Sequence, residues 1–216
     1  MAGRLARFLN QQELSPEERR SVLEDLFVFG KDNQVPFLVR MSVLLVLSTI
    51  IATAGLISDS AAVVIGAMLV APLMTPVMAA AGAVVMGWPK RFYQALWMIA
   101  AMALGALLLS SLLTLISPEL VIIPEQVMAR TRPTYWDLVI ALAAGSAGAY
   151  TITRKESSAI PGVAVAVALL PPLASTGILF TTGQGELALR ALVLFLTNFV
   201  AMVLAGALTF LAVGVS

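Results

Sequence analysis

Two proline-bearing apolar stretches hold the residues of this chain best suited to chemistry. The first covers residues 65–76 (IGAMLVAPLMTP) and the second residues 165–176 (VAVALLPPLAST). Pro72 aligns with Pro172 (172 − 72 = 100), Leu69 with Leu169, Leu73 with Leu173 and Thr75 with Ser175. Proline has no amide hydrogen and its ring crowds the preceding turn, so each stretch is expected to break a helix near its middle. A break leaves carbonyls without donors on one side and amides without acceptors on the other. These ends carry partial negative and partial positive charge. Thr75, Ser175 and Thr176 add hydroxyls at the same depth, and Pro76 and Pro171 give each stretch its second proline. Such groups coordinate a small solute or ion through backbone dipoles and hydroxyls, with no formal charge. The competing reading is a pair of kinks that only shape packing, since proline is common in membrane helices.

Two further side chains belong with this set. Asn198 lies beside Thr197 inside the last apolar run, where an amide serves either interhelical hydrogen bonding or a solute path. Asp59, between Ser58 and Ser60, reads as an N-cap of the next helix; it is also the acid closest to a pore mouth. Asp137 and Glu156 fall at the ends of apolar runs, so a proton pump built on a deep carboxylate is disfavoured. The chain has no His and no Cys, which removes imidazole and thiolate sites. A serine protease would lack its base, a membrane aspartyl protease its paired deep aspartates, and no phosphate-binding loop occurs. No enzyme activity, cofactor or metal is therefore expected.

The elements that position these residues follow from composition. Of 216 residues, 60% are hydrophobic and 12% charged, against about 25% charged in ordinary globular domains. The apolar residues lie in runs of roughly 20, the length that crosses a bilayer. Net charge is +1, so no nucleic-acid partner is suggested; the bilayer itself is the expected surrounding. The expected class is an all-α polytopic membrane protein with about six spans, near residues 37–57, 60–87, 92–116, 136–152, 158–182 and 188–214. The second and fifth carry the proline breaks. Residues 1–36 form a cytoplasmic amphipathic segment and residues 37–216 the transmembrane domain. No cleavable signal peptide is read in the polar start. Within the first segment, Ser15, Pro16, Glu17 and Glu18 make a helix start, with Val22, Leu23, Leu26 and Phe27 on one face. The longest connection, residues 117–135, contains Pro124 and Glu125, a pair that opens a short helix.

Charges orient the chain. Arg19, Arg20, Lys31 and Arg40 stand at the start, Lys90 and Arg91 between spans two and three, and Arg154 and Lys155 between four and five. With both termini cytoplasmic, all of these fall inside, as the positive-inside rule requires. Re-entrant hairpins would move Lys90 and Arg91 outside, so full crossings are preferred. Three spans per half then make the second half an inverted repeat of the first, residues 37–116 against 136–214. Ala144, Gly145, Gly148 and Ala149 form small-xxx-small pairs, which suit internal packing or a homo-oligomer seam. Met68, Met74, Met78 and Met86 line the second span as gap-fillers or as a flexible apolar wall.

The strings SDSAAVVIGAMLVAPLMTPV (residues 58–77) and AGSAGAYTITRKESSAIPGVAVAVALLPPLASTG (residues 144–177) closely resemble a family of uncharacterised hydrophobic membrane proteins of bacteria and archaea, domain-of-unknown-function family 389. The resemblance extends from about Phe37 onward. It implies an integral protein of the cytoplasmic (inner) membrane and lends no activity. Many members carry a separate soluble domain, in whose place only the short amphipathic start is read here. Two functions remain open: a channel or transporter for a small solute or ion with its path at the proline stretches, and a non-transporting module that anchors or regulates a partner. Neither substrate nor its charge follows from the sequence.

Overall fold

The computed structural model describes residues 34–117, 122–154 and 159–215. The amphipathic helix expected after Ser15 lies outside the described residues. In chain order the helices are α1 (Gln34–Ile57), α2 (Ala61–Val70), α3 (Met74–Val85), α4 (Pro89–Ile116), α5 (Glu125–Met128), α6 (Tyr135–Thr153), α7 (Ala159–Thr181) and α8 (Gly185–Ala212). A single 3-10 turn (Ala129–Thr131) follows α5. The expected spans coincide with these helices to within a few residues, and Pro124 opens α5 as its sequence suggests.

Helix ends are set by local chemistry. Pro89 occupies the first turn of α4, where its missing N–H costs nothing. Thr134 and Asp137 form a capping box at the start of α6: the Thr134 N–H donates to Asp137 Oδ2 at 2.8 Å and the Asp137 N–H to Thr134 Oγ1 at 3.4 Å. Gly87 and Gly183 follow α3 and α7 at positive φ, 62° and 75°, a conformation that costs glycine little. Each turn is closed the same way: the Trp88 N–H reaches the Ala83 carbonyl and the Gln184 N–H the Leu179 carbonyl, both at 2.9 Å.

Among the described residues three helices, α1, α4 and α8, are long and apolar enough to cross a membrane, and four crossings result if α2 and α3 form one. Length and composition thus support three or four spans where six were expected. The shortfall has local causes. α2 and α3 are each too short alone, and α6 carries Asp137 together with several Gly, Ser and Thr residues. Large apolar side chains stand exposed along the long helices, among them Val43, Leu47, Trp97, Leu104, Leu108 and Leu204. An apolar exterior of this kind belongs to a membrane protein.

α7 is the hub of the bundle. It touches α1, α2, α3, α4, α6 and α8, and Leu169, Leu170, Leu173, Ala174, Ile178 and Leu179 are buried. α8 packs on α6, α7 and α3, and α4 packs on α7 and α3. Small residues set the close approaches. A β-carbon at Gly145 of α6 would stand 2.5 Å from the Met202 carbonyl oxygen of α8. Gly148 faces Met78, and Gly206 faces Met78 and Ala81. The small-residue face of α6 is thus used within the chain. Met68, Met74 and Met78 are buried, filling the irregular space beside these glycines.

Candidate functional site

The two proline stretches differ in structure. In the first, helix is interrupted at residues 71–73, and α2 and α3 meet at 58°. Ala71, just before Pro72, is extended at φ −67° and ψ 124°, as the proline ring demands of its predecessor. Pro76 falls in the first turn of α3, where no N–H is needed. The expected interruption therefore occurs at Pro72.

It does not occur at Pro171 and Pro172. Both lie inside one uninterrupted helix, α7, so the expected break of the fifth span is corrected. The reason lies on α8. In a regular helix the Ala168 carbonyl would accept from the N–H of residue 172, which proline lacks. Asn198 Nδ2 donates to that carbonyl instead, at 3.0 Å. Two serines of α4 add support further along: Ser110 Oγ donates to the Ala174 carbonyl at 3.0 Å and Ser111 Oγ to the Gly177 carbonyl at 3.2 Å. Gly177 admits this contact, since a β-carbon there would collide with Ser110 Oγ and lie 2.6 Å from the Leu107 carbonyl oxygen.

The other hydroxyls take different roles. Thr176 Oγ1 donates to the Pro172 carbonyl at 2.8 Å. Ser175 Oγ is buried with no partner among the described residues. Thr75 is half-buried on the first turn of α3. Asp59 is not an N-cap of α2; Ser60 holds that position, without a side-chain bond. Asp59 itself sits at φ 54°, and its Oδ1 accepts from the Gln126 N–H of α5 at 2.8 Å. The carboxylate thus ties the α1–α2 turn to the long connection.

That connection enters the bundle. Val127 and Thr131 are buried, with α5 against α1 and α7 and the 3-10 turn against α7 and α8. Arg130 reaches a cavity of about 40 Å³ lined by Asp137, Ala168, Pro172 and Asn198, with Ile140 and Leu194 as apolar walls. Asn198 stands about 20 Å along α8 from Gly185 at 1.5 Å per residue, whereas Asp137 is in the first turn of α6, so the cavity joins the start of α6 to the middle of α8. Burial pushes the Arg130 pKa below its ordinary value and the Asp137 carboxylate pulls it back up. Arginine stays protonated regardless. Arg130 Nε and Asn198 Oδ1 are buried without partners among the described residues.

Of the residues singled out in the sequence, the cavity gathers Pro172 and Asn198; Pro72, Thr75, Pro76, Pro171, Ser175, Thr176 and Asp59 are not among its lining. Asp137 was read only as an acid at the end of an apolar run, and Arg130 was not singled out as a candidate. Its signal was the apolar pair Val127 and Met128 just before it, which seats the connection inward. Ser110 and Ser111 were legible as a polar pair inside an apolar run. A larger groove of about 460 Å³ between α1 and α4 is walled by Leu45, Val46, Leu108 and Leu112. None of the residues singled out lines it, and Ser42 and Thr49 are its polar lining residues.

A family model described as a domain of unknown function (DUF389) matches residues 68–204. An uncharacterized protein of Methanocaldococcus jannaschii is 33% identical over 209 residues, 96% of this chain. The matched part spans 64% of that relative's length. No solved structure matches. The chain belongs to the DUF389 family.

Proposed function

We propose that this DUF389 protein is a membrane channel or transporter for a small solute or ion, with its path at the proline-bearing helices. The reading places it in the cytoplasmic membrane with both termini inside. The observation that carries it is the cavity at Pro172 and Asn198, which Arg130 and Asp137 also line. Ionisable groups gathered against apolar helices are expensive, and function is the usual reason for them.

Six crossings in two inverted halves remain part of this proposal, and two observations support it. The third helix of each half rests on the second helix of the other, α4 on α7 and α8 on α3, as a pseudo-two-fold axis requires. Asp59 is bonded to Gln126, so the α1–α2 turn and the long connection share one side. If α2 and α3 cross together, these segments are both outside. If they dip in and return, the segments fall on opposite faces and the bond is impossible. Topology is tested with single cysteines in this Cys-free chain. An impermeant thiol reagent added outside should label Gly185→Cys and spare Lys90→Cys; labelling of both would sink the inverted repeat.

Function is tested by flux into vesicles carrying the purified protein, with a panel of ions and small neutral solutes. A flux above protein-free vesicles is expected. A scaffold role, acting through protein partners, is favoured by the seal around α3, where residues 77–83 are all buried. It predicts background flux for every solute in the panel.

A further inference from the structure

We propose that the cavity at Pro172 selects a small uncharged solute that both donates and accepts hydrogen bonds, water being its smallest member. The inference rests on the transport reading above and gives its site a substrate class. The key is how Asn198 is used. The Ala168 carbonyl can only accept, so the amide must turn its NH₂ toward it, as the 3.0 Å contact shows. That orientation leaves Oδ1, an acceptor, without a partner on a residue that is 2% exposed. Arg130 also lines the cavity, and its Nε, a donor, is shielded from solvent and equally without a partner among the described residues. Both residues line the same cavity, so it brings together one residue with an unpaired acceptor and one with an unpaired donor. A solute with a hydroxyl meets both demands at once, and so does a water, which needs two to four polar partners.

Charge argues the same way. Asp137 and Arg130 line the cavity together, so a cation there faces a guanidinium and an anion faces a carboxylate. At short range and low dielectric each repulsion is costly, whereas a neutral solute meets neither. Size adds a limit: about 40 Å³ admits water and the narrow end of a small polyol.

The test uses the full chain in lipid vesicles. Shrinkage under a sucrose gradient reads water, reswelling in glycerol reads a neutral hydroxylic solute, and dye assays read potassium and chloride. Water or glycerol permeability should rise several-fold over protein-free vesicles, with ion flux at background. Arg130→Leu should return it to background, and Arg130→Lys should keep a part. Ile140→Trp, which fills the cavity from its apolar wall and touches no polar group, should also block it and serves should Arg130→Leu fail to fold. Ion flux with background water and glycerol would overturn the uncharged class and leave transport standing. Background in every assay would overturn both readings. Neutral flux unchanged in Arg130→Leu and in Ile140→Trp would overturn this cavity as the site.

Discussion

Pro72 and Pro172 occupy matching positions in the two halves, yet α2 and α3 part at 58° while α7 runs straight through its prolines. The difference lies in the neighbours. Asn198, Ser110 and Ser111 each donate to a carbonyl of α7 from another helix. Among the described residues no side chain from another helix donates to a backbone carbonyl of α2 or α3 by a comparable bond. In lipid a freed backbone group must find a partner within the protein. A proline therefore breaks a membrane helix when the structure offers no substitute donor, and leaves it intact when one is supplied.

Glycine substitutions should separate the two regions most. Gly177→Ala drives a β-carbon into Ser110 and the Leu107 backbone, and overpacking of that kind costs about 1–3 kcal/mol. Gly66→Ala, on α2, meets nothing within 4 Å and should instead gain about 0.5–1 kcal/mol of helix propensity. Thermal melts of both variants in one detergent check the contrast; equal shifts would erase it.

The next effect concerns the prolines. Pro72→Ala lets the first helix close its missing bond, so melting temperature should hold or rise while flux of the transported solute falls. A destabilised Pro72→Ala variant with full flux per folded molecule would end the functional reading of the break. Thr75→Val and Ser175→Ala should lower flux more mildly, since each removes one hydroxyl and leaves the backbone as it was. Ser111→Ala should have the smallest effect on stability, about 0.6 kcal/mol, the average for an interhelical hydrogen bond in a membrane protein.

Helix positions were legible because apolar runs and their Gly and Pro borders are local signals. The interruption at Pro72 was legible for the same reason: proline biases its predecessor away from the helical region, and Ala71 follows that local bias. The continuity of α7 was not, because the donor that replaces the proline amide sits 30 positions away, on Asn198. Sequence reading had marked Asn198 for interhelical bonding or for a solute path without naming a partner. In the structure Nδ2 bonds α7 and Oδ1 is buried without a partner among the described residues. Asp59 was read as the N-cap of α2, a local role, whereas its carboxylate accepts from the Gln126 N–H of α5, 67 positions away. Arg130 was not legible because the connection is seated by long-range packing on α1, α7 and α8.

The central claim is that Asn198 supplies the donor that Pro172 lacks, and a double-mutant cycle tests it. Asn198→Leu alone should lower stability by about 1–3 kcal/mol, the cost of leaving a buried carbonyl unpaired. With Pro172→Ala in the same chain, residue 172 regains its N–H and bonds Ala168 itself. The cost of Asn198→Leu should then shrink by about 1 kcal/mol or more, a coupling within the range found for contacting residues. Denaturation of the wild type, both single variants and the double variant gives this number directly. Additive costs, equal to within about 0.3 kcal/mol, would contradict the account.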